Sequence, residues 1–153
     1  MLIKVLSKAE AKSFVPPTPF VNICIVCLDD DEPELIDSDQ RIDALYLRFD
    51  DIEPPDVAHN GYSEEQLFTE QHASDILAFV DAYRSIYPDM TVLVSCCGGV
   101  SRSSATAAAL GLIYNQDDKF VFSSKTLAPN MHVYRTILNV YTEETGEIPR
   151  NKE

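Results

Sequence analysis

Val92-Leu93-Val94-Ser95-Cys96-Cys97-Gly98-Gly99-Val100-Ser101-Arg102-Ser103-Ser104 decides how this chain is read. The stretch opens on apolar residues, passes through small ones, and continues into an Ala-rich run from Ala105 to Ile113. That order predicts a strand that turns sharply into a helix. Such a turn aims backbone N–H groups into one concavity, and the helix N-terminus adds about half a positive charge there. A dianionic phosphate fits a cradle of this kind. Five residues separate Cys96 from Arg102. A guanidinium at that position grips two phosphate oxygens, while a sulfur at the start of the loop lies under the phosphorus.

Cleaving a phosphate monoester with a cysteine makes four demands. The nucleophile must be a thiolate, yet an ordinary thiol has a pKa near 8.5 and is only a few per cent ionised at pH 7. A helix N-terminus and a neighbouring guanidinium lower that value by roughly 3 units, about 4 kcal/mol of selective stabilisation. The equatorial oxygens need donors, here the N–H groups of Cys97, Gly98, Gly99, Val100, Ser101 and Arg102 together with the Arg102 side chain. A general acid must protonate the leaving oxygen and later activate water. The thiolate that departs in the second step needs a hydrogen bond, and the Ser103 hydroxyl is placed to give it.

Cys96, Gly99, Arg102 and Ser103 together resemble the signature loop of the cysteine-dependent protein-tyrosine and dual-specificity phosphatases, His-Cys-x-x-Gly-x-x-Arg-Ser/Thr. Every position matches except the first, where Ser95 stands for His. The run Gly99-Val100-Ser101-Arg102-Ser103 resembles the dual-specificity branch, and the Phe-Asp-Asp-Ile loop and small size resemble prokaryotic and phage members. The resemblance implies an α/β, three-layer phosphatase-type fold: a central, mostly parallel sheet flanked by helices, with the loop between a strand and a helix. It implies a phosphocysteine intermediate on Cys96, with Arg102 and Ser103 as catalytic partners. The expected substrate is a phosphorylated protein or peptide, with no metal and no organic cofactor. The family's His orients the loop and stabilises the thiolate, so Ser95 predicts a higher thiolate pKa than is usual in the family.

The family's general acid is an Asp on a loop that follows a strand. Tyr46-Leu47-Arg48-Phe49-Asp50-Asp51-Ile52-Glu53-Pro54-Pro55 takes that place. Asp51 is the first candidate, with Asp50 and Asp56 as alternatives. The long gap from Asp51 to Cys96 fits an insertion around Pro54 to Tyr62. The same aspartates also suit a solvated acidic face. Two other functions share a cysteine and an anion loop: a phosphate-binding pseudophosphatase without efficient turnover, and a rhodanese-like sulfurtransferase.

The 153 residues predict one domain over 1–153, and a hydrophobic content of 45% is enough for one core. A net charge of −13 opposes nucleic-acid and anionic-membrane partners. The absence of a long apolar run, with four cysteines in a short chain lacking a secretory pattern, predicts a cytoplasmic, reduced protein.

Strands are expected at Leu2 to Val5, Phe20 to Leu28, Ala44 to Phe49 and from about Thr91. Ser7 predicts a cap for a short helix over Lys8 to Phe14. Between Asp29 and Asp56 lie 12 of the 25 acidic residues, expected to be loop outside the third strand. His59-Asn60-Gly61-Tyr62 predicts a turn, and a helix is expected from Ser63 to about Tyr87 with Ile76, Phe79, Val80, Tyr83 and Ile86 inward. Phe120 to Phe122 fits helix or strand. Pro129-Asn130 opens a last helix to about Glu143, and the tail from Gly146 is expected to be loose. Cys24 and Cys27, on alternate faces of a strand, read as core. Cys97 reads as a small loop residue or a redox partner of Cys96. His59, His72 and His132 show no metal-ligand spacing, and Arg135 is a minor candidate for a second phosphate contact.

Overall fold

The computed structural model describes all residues, 1–153. Four strands, β1 (Leu2–Ser7), β2 (Phe20–Val26), β3 (Arg41–Arg48) and β4 (Thr91–Cys96), form one sheet in the order β1-β4-β2-β3. Every neighbouring pair is parallel, with Val5 beside Val94 and Ile23 beside Val94 in register. The all-parallel sheet explains why β2 and β4 are mostly apolar and buried along their whole length: helices or loops cover both faces.

The two faces are unequal. Val21, Ile23, Ile25, Val92, Val94 and Cys96 point into the large core, against α3 (Glu70–Arg84), α4 (Arg102–Asn115) and α6 (Met131–Thr145). Leu6, Phe20 and Leu93 point the other way and meet only Ala11 of the short α1 (Lys8–Ala11) and Leu35. α4 is buried from Arg102 to Leu112, which is why it is Ala-rich on every side rather than amphipathic. Small side chains let it lie close to the sheet.

The remaining helices correct several expectations. Pro54 and Pro55 do not break the chain but start α2 (Pro54–His59), since a helix tolerates proline where its first N–H groups have no partner. The expected helix from Ser63 is two elements. A single 3-10 turn, Glu64–Gln66, is closed by Ser63 and Gln66, and α3 starts afresh at Glu70 under a Thr69–His72 capping box. Between them Phe68 is pulled into the core against Phe49, which takes the backbone out of helical register. α3 ends at Arg84, so Ile86 is exposed rather than core. Lys119–Phe122 is a helical turn, α5. The tail is tied down through Asn151, whose amide donates to Asp118 (2.9 Å). No helix is long and apolar enough to cross a membrane.

Candidate active site

The carboxyl ends of the four parallel strands converge on one edge, where α/β sheets bind ligands. Ser7 ends β1, Cys96 ends β4, Cys27 follows β2, and Phe49 follows β3. The residues from Cys97 to Ser101 leave β4 and enter α4, as the small-residue turn requires.

The polarity of this loop is set by where its carbonyls go. The Lys8 N–H donates to the Cys97 carbonyl (3.3 Å), the Ala128 N–H to Val100 (3.1 Å), and the Asn130 N–H to Ser101 (3.1 Å). The Ser104 hydroxyl donates to the Val100 and Ser101 carbonyls (2.5 and 3.1 Å). With these carbonyls engaged outward, the N–H groups of Cys97, Gly98, Val100 and Ser101 find no carbonyl acceptor. Gly99 makes the turn possible. Its φ is +68°, and a Cβ there would lie 2.6 Å from the Ser7 nitrogen and 2.8 Å from the Leu6 carbonyl carbon.

Cys96 is 3% exposed. Its sulfur is 3.0 Å from the buried Ser103 hydroxyl. Burial opposes ionisation, but the Ser103 hydroxyl and N–H, the Arg102 charge and the Gly99 N–H outweigh it, so the thiol ionises below its ordinary value. Arg102, 5% exposed, is anchored by one nitrogen: Nη1 donates to the Phe49 carbonyl (2.9 Å) and lies 3.4 Å from the Cys27 sulfur. Its Nε is buried without a partner. A buried guanidinium N–H without an acceptor is costly unless an anion completes it. Orphan amides, an orphan guanidinium nitrogen and a thiolate-favouring sulfur together can hold a tetrahedral oxyanion.

The three candidate aspartates separate cleanly. Asp51 faces the loop, its Oδ1 accepting from the Ser101 hydroxyl (2.8 Å) and the Asn130 amide (2.9 Å). Asp50 turns away. It accepts from the Leu28 N–H (3.1 Å) and the Gln66 amide (2.6 Å) and so ties the β2–β3 connection together. Asp56 sits in the first turn of α2, accepting from the Glu53 N–H and the Asn60 amide (2.9 and 2.8 Å). Neither Asp50 nor Asp56 contacts the loop.

Ser95 points to the opposite sheet face from Cys96. It is buried, faces the Cys24 thiol, and makes no hydrogen bond to the loop. Burial pushes the Cys24 thiol up, as it does Cys27. Cys24 is therefore core, as its strand position predicts, but Cys27 lies beyond β2 and against Arg102. Cys97 is exposed. His72 is half-buried, which pushes its pKa down, and it stacks on Phe68. His132 contacts the Phe68 carbonyl (2.9 Å). Arg135 lines a separate polar cleft with Glu53, His132 and Asn139.

Asn130 is the residue that sequence reasoning places only as a helix start. It is 7% exposed and caps α6 by accepting from the Val133 N–H (3.2 Å). Its amide reaches both Asp51 and the Ile52 carbonyl (3.1 Å). One residue thus joins α6 and the Asp51 loop through its side chain and the β4–α4 loop through its backbone N–H. The Pro-Asn pair signals the cap, but nothing local signals the contact.

No protein-family model matches the chain. No curated protein matches it either. Among solved structures, the human tyrosine phosphatase-like serine/threonine/tyrosine-interacting protein is similar over 82% of this chain and 78% of its own, at 18% identity and a TM-score of 0.53. At that identity the likeness speaks for the fold, an α/β arrangement of the tyrosine-phosphatase type.

Proposed function

We propose that the chain is a cysteine-dependent phosphate monoester hydrolase of the protein-tyrosine or dual-specificity type, acting through phosphocysteine. The observation that carries this reading is the buried Arg102 Nε without an acceptor, beside amides without acceptors and a sulfur that ionises below its usual value. The Cys96 thiolate attacks the phosphorus and the bond to the leaving oxygen breaks. Asp51 delivers its proton to that oxygen. Water then attacks the phosphocysteine, Asp51 takes the water's proton, and the P–S bond breaks. The Ser103 hydroxyl, 3.0 Å from the sulfur, stabilises the thiolate as it leaves. The developing charge on the equatorial oxygens is met by donors already in position, so little reorganisation is needed. Arg102 and the amides supply the positive charge that a metal gives in other phosphatases.

The role of Asp51 is supported by its contacts: Ser101 and Asn130 engage Oδ1, which leaves Oδ2 for the proton. The substrate is a phosphorylated protein or peptide. A phosphate-binding protein without turnover is the second reading. It is favoured by Ser95, which gives the loop no hydrogen bond, and by the engagement of Asp51 with Ser101. Turnover of p-nitrophenyl phosphate, abolished by Cys96→Ser and inhibited by vanadate, decides between them. Binding of vanadate with no turnover at any pH from 5 to about 8 supports the second reading.

A further inference from the structure

The loop after β2, Cys27-Leu28-Asp29-Asp30-Asp31-Glu32, is acidic and lies against the candidate site. Three contacts place it there. The Cys27 sulfur is beside Arg102, the Leu28 N–H donates to Asp50 (3.1 Å), and Lys8, whose N–H reaches the Cys97 carbonyl, pairs with Asp30 (3.2 Å). From the end of β3, Asp51 faces the β4–α4 loop through Ser101, while Asp50 holds the segment after β2 through Leu28.

The segment beside the oxyanion cradle therefore carries four carboxylates, Asp29, Asp30, Asp31 and Glu32, and Asp51 adds a fifth from the end of β3. Against them stand Lys8, paired with Asp30, and Arg48, paired with Glu32 (3.8 Å). Asp29 and Asp31 are exposed and belong to no ion pair. Arg102, the cation of the cradle itself, is buried with its Nε unpartnered. The cradle thus accepts one phosphate, while the surface around it repels further negative charge. On the far side of the Asp51 loop, the cleft that holds Arg135 also holds Glu53, so that side adds no net positive charge.

We propose that this rim selects phosphate esters carried on basic peptide segments, with Lys or Arg flanking the phosphorylated residue, and discriminates against acidic ones. The inference rests on the phosphatase reading for its cradle but concerns the charge around it. Opposite charges across an aqueous rim give selectivity and faster encounter, and both fade as salt screens them.

The test is binding of fluorescent phosphotyrosine peptides to the Cys96→Ser chain, which does not require turnover. Two peptides differ only in flanking residues, Lys/Arg in one and Asp/Glu in the other. The basic peptide is expected to bind about tenfold tighter at low salt, the ratio falling to about twofold at 0.5 M salt. Its unphosphorylated form is expected to bind at least tenfold more weakly than the phosphorylated one. Asp29→Asn with Asp31→Asn should shrink the ratio to about threefold or less. Glu143→Gln with Glu153→Gln should leave it unchanged, since Glu143 lies at the far end of α6, about 20 Å from Asn130. A ratio near one, an unphosphorylated peptide that binds equally, or equal effects of the two double variants overturns the proposal. Turnover of p-nitrophenyl phosphate by the unaltered chain is read separately: its failure sinks the hydrolase, and the peptide ratio still judges the rim.

Discussion

Replacing Ser103 by Ala isolates one hydrogen bond to the proposed nucleophile. The Ser103 oxygen is fully buried and 3.0 Å from the Cys96 sulfur, and a thiolate can only accept there. A hydrogen bond to a charged group contributes about 1.5–3 kcal/mol, and 1.36 kcal/mol corresponds to one pKa unit. Ser103→Ala should therefore raise the Cys96 pKa by about 1–2 units. The direction is firm because burial already opposes ionisation and the hydroxyl heads the groups that offset it. The assay is the pH dependence of alkylation by iodoacetamide, with the acidic limb of kcat/KM for p-nitrophenyl phosphate as a second readout. Stability carries the same sign. Because the folded pKa lies below the unfolded value of about 8.5, Cys96 ionisation adds stability that is fully present above about 8.5 and is lost as pH falls through the folded value. The variant loses part of that gain, so its thermal stability should fall behind the parent's progressively as pH rises through the parent's folded value. A midpoint that moves by less than about 0.3 unit would refute the assignment of Ser103 as the thiolate's main donor.

Arg102→Lys keeps the charge but removes the fork that joins the Phe49 carbonyl to the anion, so kcat/KM should fall about 100-fold or more, read with p-nitrophenyl phosphate. Asp51→Asn should lower kcat by roughly 10²-fold or more on an alkyl or tyrosyl phosphate and less on a nitrophenyl ester, whose leaving oxygen needs little protonation. Asp50→Asn should leave kcat within a few-fold while lowering stability by about 1 kcal/mol, because its contacts are to Leu28 and Gln66. Gly99→Ala sets a Cβ against Ser7 and Leu6 at positive φ, and thermal denaturation should show a loss of about 2–4 kcal/mol.

The parallel α/β architecture is legible in the sequence because β2 and β4 are apolar on both faces, a pattern that only a covered sheet satisfies. The strand–loop–helix unit is legible for a related reason: small residues and Arg102 sit where an anion-binding turn needs them. What stays hidden depends on contacts far apart in the chain. Ser63-Glu64-Glu65-Gln66 does form a capping box, but Phe68 packs on Phe49 and ends the turn before a helix can grow. Asp50 and Asp51 are neighbours in the chain, and only the fold turns one to Leu28 and the other to Ser101. Cys27 looks like strand core until the strand stops one residue before it.

Asn130 shows why the loop's orientation is a tertiary property. A glycine-rich turn can face its amides either way, because N–H and C=O groups are equally able to seek partners. Here three donors from two separate segments, Lys8 on one side and Ala128 and Asn130 on the other, claim the carbonyls of Cys97, Val100 and Ser101 from outside. Once those acceptors are taken, the N–H groups of Cys97, Gly98, Val100 and Ser101 are left without carbonyl partners, and the proposed function gives them an anion. The Asn130 side chain then extends the same restraint to Asp51, 79 residues away in sequence. The nucleophile's cradle and the proposed proton donor are thus held by one residue, and the chemistry of the loop is set as much by what grips its back as by the residues on its face.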